Sequence, residues 1–203
     1  MSQGDHRYFI INKPSNIVSQ FVSPDKVGLL GDLDFSFPEG THAVGRLDNH
    51  SEGLLILTTN KRVTKLLFEG TTPHKRTYLV KVKDTVSPES LNRLQTGVTI
   101  KIKGNENYVT TPCEASIVAD PAVFFQQEKG QKEYKPHTWL LITLTEGKFH
   151  QVRKMVYALR HRCKRLIRVS IEDLKLGDLP AGGVREIAEE TFFEQLRIDN
   201  WRE

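Results

Sequence analysis

The chain is poor in cysteine and has no long apolar run. Only two of its 203 residues are cysteines, Cys113 and Cys163, and they lack metal-ligand spacing. Neither a disulfide framework nor a thiolate metal site is expected, and both read as free thiols. No apolar stretch approaches the length needed to cross a bilayer. The segment Met1–Arg7 is polar and lacks the apolar centre of a signal peptide, so a cytoplasmic location is the expectation. Glycine-rich phosphate loops, internal repeats and low-complexity linkers are also missing. What remains, 38% hydrophobic and 27% charged, is the composition of a globular protein whose core needs no covalent staples. One absence is local. From Lys148 to Arg168 the chain carries Lys148, Arg153, Lys154, Arg160, Arg162, Lys164, Arg165 and Arg168 and no acidic residue, although the net charge is only +4. A one-signed stretch of this kind suits a phosphate backbone; the bland alternative is a solvated helix face followed by a loop.

Periodicity supplies the elements. Strands are expected at Tyr8–Ile11, Thr41–Gly45, Leu54–Thr58, Thr77–Lys83, Val98–Lys103, Cys113–Val118, around Leu140–Leu144, at Leu166–Ile171 and at Gly183–Ile187. Asn60 reads as the N-cap of a helix carrying Val63, Leu66 and Leu67, and Ser87-Pro88 opens another through Leu91 and Leu94, closed near Gly97. A third helix is expected from His150 to Leu159, because Val152, Met155, Val156 and Leu159 form one apolar stripe. A short one follows near Phe192, Phe193 and Leu196. The segment Asp120–Pro136 reads as a surface hairpin or loop. Strands come in runs rather than in alternation with helices, which argues an α+β fold on a mixed, mainly antiparallel sheet with flanking helices.

The most informative string is Gly45-Arg46-Leu47-Asp48-Asn49-His50-Ser51-Glu52-Gly53 followed by Leu54-Leu55-Ile56-Leu57-Thr58. Residues of an extended segment alternate in direction, so Leu47 can be buried while Arg46 and Asp48 face one cleft. A carboxylate beside guanidinium groups stays ionised and can serve as base or nucleophile. Asp-Asn and Ser-Glu-Gly are also ordinary turn formers. His42, His50 and His150 lie near the motifs without the spacing of a metal site or a triad, and read as RNA contacts or filler. Glu52 is the one nearby second carboxyl that a glycosidase would need, and it reads as a turn residue.

The longer string resembles the signature of RNA pseudouridine synthases of the ribosomal small-subunit (RsuA) type. So do Asn12-Lys13-Pro14, Lys75-Arg76-Thr77-Tyr78-Leu79-Val80, Glu146-Gly147-Lys148-Phe149-His150-Gln151-Val152-Arg153-Lys154-Met155 and Leu174-Lys175-Leu176-Gly177. The resemblance covers nearly the whole chain, read as one catalytic domain over residues 1–203, with two sub-domains either side of a cleft as a variant of that layout. Asn-Lys-Pro stands almost at the N-terminus, which points to the short, large-subunit subgroup without a leading RNA-binding domain.

The resemblance implies a bent sheet split by a central cleft, and isomerisation of a uridine in ribosomal RNA, chiefly of the large subunit, with no cofactor and no metal. A tRNA substrate, or RNA binding without catalysis, are the alternatives. By that resemblance Asp48 is catalytic, Tyr78 stacks on the base, and Arg153 pairs with Asp48 and lowers its pKa. Arg46 contacts the RNA and fills the gap left by the flipped base, and Lys13, Lys148 and Lys154 contact the backbone. A leucine packs beneath the base; the segment offers Leu176 and Leu179, of which Leu176 is the assignment. The expected partner is RNA alone, with no membrane and a monomeric protein.

Overall fold

The computed structural model describes residues 6–70, 73–125 and 136–202. The strands, in chain order, are β1 (Tyr8–Lys13), β2 (His42–Val44), β3 (Glu52–Thr58), β4 (Arg76–Lys83), β5 (Thr99–Lys101), β6 (Asn107–Val109), β7 (Glu114–Val118), β8 (His137–Leu144), β9 (Cys163–Ile171), β10 (Leu174–Lys175) and β11 (Val184–Ile187). Four α-helices join them: α1 (Arg62–Phe68), α2 (Pro88–Thr96), α3 (Gln151–Ala158) and α4 (Glu189–Gln195). The main sheet runs β11-β1-β3-β9-β4-β8-β7, with β2 added to β3 and β10 to β9. Every pairing in it is antiparallel except β3 with β9. This is the mixed, mainly antiparallel α+β architecture that the strand runs predict.

Along the seven-strand path the parallel junction is the narrowest place. β1 and β3 share six register pairs, whereas β3 and β9 share two, Glu52 with Ile167 and Gly53 with Arg168. Two halves of the sheet therefore meet over a very short ladder, just after the Arg46–Ser51 loop. Gly53 makes that approach possible. Its φ is +99°, and a Cβ there would lie 2.3 Å from the Arg168 carbonyl oxygen and 2.8 Å from its amide nitrogen. Both are backbone atoms that cannot rotate away.

Local chemistry explains most helix boundaries. Ser87 caps α2 by accepting from the Ser90 amide at 3.1 Å, with Pro88 at the first helical position and Gly97 closing the end. Asn60 Oδ1 accepts the Arg62 amide at 3.0 Å at the start of α1. In α3 the predicted stripe of Val152, Met155, Val156 and Leu159 is buried as a unit. At roughly 1.5–3 kcal/mol per fully buried side chain, that stripe fixes which face of the helix looks outward.

Three local expectations change. The polar turn at Gly104-Asn105 separates β5 from β6, a two-stranded ribbon the sequence pattern did not disclose because β6 is short and largely exposed. β10 is a second unannounced strand. Within Asp120–Pro136, residues 126–135 lie outside the described residues. The beginning is not purely surface: Phe125 is buried and sits 6.0 Å from the Trp139 ring.

Replacing Gly53 with alanine forces a Cβ into the junction backbone. Gly53→Ala is expected to cost about 2–4 kcal/mol, or to prevent folding. Urea denaturation monitored by circular dichroism checks this, with Gly40→Ala, where nothing lies within 4 Å of the added Cβ, as the control for positive φ alone.

Candidate active site

The string from Gly45 to Ser51 forms the loop between β2 and β3, and its backbone is held at several points. Ser19 Oγ accepts the Leu47 amide and donates to the Leu47 carbonyl, both at 2.9 Å. The Asn49 carbonyl takes the Asn16 amide at 2.9 Å and Lys13 Nζ at 3.3 Å. Arg153 Nη2 donates to the His50 carbonyl at 3.0 Å and to Ser51 Oγ at 3.1 Å. The Ser51 amide closes a turn onto the Asp48 carbonyl at 2.9 Å. Leu47 is buried in the core beneath, and the Asp48 side chain, 33% exposed, points into a cleft.

That cleft has a volume of about 400 Å³, within the range of small-molecule sites. Arg46, Asp48, Tyr78 and Lys148 all line it, so the structure brings these four sequence-predicted residues together. Tyr78 stands opposite Arg168 in the β4–β9 ladder, just past a register shift at Thr77/Tyr78. A bulge of this kind re-aims a side chain. Arg46 has no hydrogen-bond or ion-pair partner among the described residues, leaving its guanidinium available to a ligand.

Three assignments need correction, those of Arg153, Lys13 and Leu176, and the place of a fourth residue, Lys154, is made definite. Arg153 does not pair with Asp48. It holds the His50 carbonyl and the Ser51 hydroxyl, two and three residues further on, with Cys163 Sγ 3.6 Å from its other nitrogen. Asp48's charged neighbour is instead His150, whose Nε2 is 3.5 Å from Oδ1 and forms an ion pair only when protonated. Lys13 does not face solvent or RNA. It is fully buried, donating to the carbonyls of Pro14 at 2.8 Å, Ile17 at 2.6 Å and Asn49 at 3.3 Å. Burial lowers its pKa to about 8, against the attraction of Glu52 and Asp48. Leu176 and Leu179 are both buried in the main core and line no part of the cleft; the leucines that do are Leu47, Leu144 and Leu166. Finally, Lys154 lies beside the cleft rather than in it, with Nζ 5.5 Å from the Phe149 ring centroid.

The basic stretch splits in two. Lys148, Arg160, Arg162 and Lys164 are exposed and Lys154 half-buried, whereas Arg153, Arg165 and Arg168 turn inward. Arg165 forms a bidentate pair with Glu52 at 2.7 and 2.8 Å. Glu52 therefore opens β3 as a structural partner and is no free second carboxyl. Arg168 is only 4% exposed, donates Nε to the Leu54 carbonyl at 2.8 Å and lines the cleft. Burial pushes its pKa down, and the Tyr78 side chain counters that shift. Its Nη2, like Nε of the neighbouring Arg76, is buried without a partner.

Sequence reasoning missed His150, Arg76 and Arg168 as cleft residues. A usable signal existed for Arg168, a lone charge inside the apolar run Leu166-Ile167-Arg168-Val169. Arg76 precedes Tyr78 by two residues and so shares its face.

The far wall is the segment 146–151. Burial alone would raise the Glu146 carboxyl, but bonds from Tyr108, the Thr111 amide and Gln151 outweigh it and hold the pKa below the ordinary value. Gln151 donates to Glu146 at 2.6 Å and accepts the Lys148 amide at 2.8 Å, so one carboxylate and one amide shape the turn that presents Lys148, Phe149 and His150. A larger cavity of about 490 Å³ between α1 and the C-terminal segment contains none of the motifs. Its Arg197 is already paired with Asp173 at 2.8 Å.

A cleft lined by two carboxylates, one of them (Glu146) already bonded to Tyr108, Thr111 and Gln151, several guanidinium groups and a tyrosine suits a planar, anionic substrate such as a nucleotide. Comparison with known proteins agrees. A family model described as RNA pseudouridylate synthase matches residues 7–158. Ribosomal large subunit pseudouridine synthase E of Vibrio parahaemolyticus is 32% identical over 184 residues, covering 90% of this chain and 74% of that protein. Ribosomal small subunit pseudouridine synthase A of Escherichia coli K12 is 28% identical over 185 residues, covering 91% and 71%. A crystal structure of a pseudouridylate synthase superimposes with a TM-score of 0.74 at 25% identity, covering 97% of this chain and 76% of that one. The chain belongs to the RNA pseudouridylate synthase family. It is a pseudouridine synthase, an isomerase of RNA, of the type shared by those large-subunit and small-subunit enzymes.

The buried Lys13 gives a pH test with a definite sign. Its folded pKa of about 8 lies below the ordinary 10.5, so between those values the unfolded chain binds more protons and stability rises with pH. Relative to Lys13→Met, the wild type is expected to gain up to about 1.4 kcal/mol per pH unit across that window, measured by urea denaturation at several pH values.

Proposed function

We propose that this enzyme isomerises a uridine of large-subunit ribosomal RNA, in the cytoplasm, with Asp48 as the reacting group and residues 1–203 working as one catalytic domain. The observation that carries the proposal is the placement of the Asp48 carboxylate on a pinned loop above a cleft of nucleoside size whose floor is Tyr78. The large-subunit assignment is supported by the names of relatives that match at 32% identity, against 28% for the small-subunit enzymes.

The reaction breaks the bond from N1 of uracil to C1′, turns the base, and joins C5 to C1′. The C5 hydrogen leaves to solvent and N1 gains a proton, so the atoms balance without a second substrate. The target must first leave its stack, since a carboxylate inside a cleft cannot reach a paired base. Arg46 is suited to occupy the vacated position, because a planar guanidinium stacks and binds phosphate at once. Tyr78 offers a ring face to the base. Arg76 and Arg168 line the cleft with Tyr78, and guanidinium groups there suit a substrate rich in carbonyl and phosphate oxygens. A base held on that floor stays near the sugar between bond breaking and re-formation, with water excluded.

The decisive variant is Asp48→Asn, nearly the same shape without the charge. It is expected to release no tritium from C5-labelled ribosomal RNA above background while its RNA dissociation constant stays within about threefold of wild type. Retained turnover contradicts the assignment of Asp48. In a deletion strain, one pseudouridine is expected to vanish from large-subunit RNA; loss from small-subunit RNA or tRNA instead would overturn the substrate.

A further inference from the structure

Two of the most exposed large apolar side chains among the described residues stand beside the cleft, Phe149 in the turn that leads into α3 and Tyr157 on α3 itself. Phe149 is 73% exposed and Tyr157 is 76% exposed. Neither is needed by the core, since α3 already buries its stripe of Val152, Met155, Val156 and Leu159 on the opposite side. Their arrangement leads away from the reacting carboxylate. His150 is 3.5 Å from Asp48, and the Phe149 ring stacks on His150 with centroids 3.8 Å apart and planes 19° apart. Lys154 Nζ lies over the same Phe149 ring, 5.5 Å from its centroid. Tyr157 follows Lys154 by three residues, which makes the two neighbours on the helix surface. The sequence of groups is therefore carboxylate, imidazole, ring, ammonium, ring.

That order has a chemical meaning. Rings separated by a cation do not form the continuous apolar patch that a protein partner covers. A nucleic-acid duplex cannot use them either, because its base faces are hidden in the stack. Single-stranded RNA uses both kinds of group, stacking bases on aromatic faces and setting phosphates against cations. The charge is complementary as well, since the stretch from Lys148 to Arg168 contains no acidic residue. The surface is continuous with the catalytic cleft, because Phe149 lines it together with Asp48.

We infer that this ledge, Phe149–Lys154–Tyr157, receives the unpaired nucleotides adjoining the target uridine, so that the enzyme takes its substrate from a single-stranded loop and not from duplex RNA. This rests on the proposal that the Asp48 cleft holds the uridine. Phe149 and His150 then have a joint role. The neighbouring base stacks on Phe149 by displacing the Lys154 ammonium toward its phosphate, the opposite ring face stays on His150, and the imidazole is kept against Asp48.

The test uses the full chain, a short fluorescein-labelled oligouridine strand, and an RNA duplex of similar length at one fixed salt concentration. Phe149→Ala and Tyr157→Ala are each expected to weaken oligouridine binding roughly five- to hundredfold, with duplex binding unchanged and Tyr157→Trp restoring the loss. Both side chains are exposed, so thermal melting of the variants is expected to match wild type. Oligouridine affinity unaffected by either substitution, or equal losses for strand and duplex, would overturn the inference. Tritium release from C5-labelled ribosomal RNA by the unaltered enzyme separates the two proposals. No release, with ring-dependent oligouridine binding intact, would overturn the ribosomal substrate and uphold the ledge. Normal release with ring-independent binding would overturn the ledge and uphold the substrate.

Discussion

A single carboxylate can act on a nucleoside only if it stays in place while the base departs and returns. With Asp48 proposed as that carboxylate, the constraint falls on the backbone of its loop more than on the carboxylate itself. Ser19 grips Leu47 through both backbone groups, Lys13 and Asn16 meet at the Asn49 carbonyl, and Arg153 ties down His50 and Ser51. These contacts come from three separate parts of the chain: the turn after β1, the following loop and helix α3. The loop is thus the point where both halves of the sheet are joined by side chains. It is followed at once by the two-residue β3–β9 junction, where the backbones join directly over Gly53. The same short stretch of chain closes the sheet and positions Asp48.

The buried Lys13 illustrates the cost of this arrangement. A fully buried ammonium is tolerated because three carbonyls surround it, and burial still drives its pKa down to about 8. Arg168 is a second case, an interior guanidinium whose Nη2 is buried without a partner, at a cost that the surrounding packing offsets. Arg46, Arg76, Lys148 and Arg168 make the cleft predominantly cationic, and Asp48 and Glu146 are its acidic lining residues. Such a site draws in a polyanion and discriminates against neutral ligands.

Much of the architecture was legible because one-sided burial leaves a periodic trace. The stripe of α3, the Ser87 cap and the alternation in β8 are all observed; α1 has Lys61 rather than Asn60 at its N-cap, although Asn60 Oδ1 still accepts the Arg62 amide. The strand runs gave the mixed sheet. Short exposed strands such as β6 leave no such trace. The membership of the cleft was legible for Arg46, Asp48, Tyr78 and Lys148, which fall in recognisable strings. The direction of a long basic side chain was not. A lysine in a turn and an arginine on a helix read as RNA contacts or as partners of Asp48, whereas Lys13 points inward to carbonyls and Arg153 reaches the backbone beyond Asp48. Sequence records a charge and its spacing, and only the packed chain determines which acceptor that charge meets. The same limit hid His150, whose position against Asp48 depends on a left-handed backbone conformation at φ 56° and on the Glu146–Gln151 turn.

The measurement that bears most directly on this account is the single-turnover rate of Arg153→Ala on ribosomal RNA, with RNA affinity measured in parallel. Arg153 makes no contact with Asp48, so a structural anchor and a charge partner can be told apart by what is lost. Release of the loop is expected to slow the chemical step about a hundredfold, as small misplacements of a reacting group do, while the RNA dissociation constant changes little. A single-turnover rate equal to wild type would contradict the claim that the pinned backbone is what holds Asp48 in place.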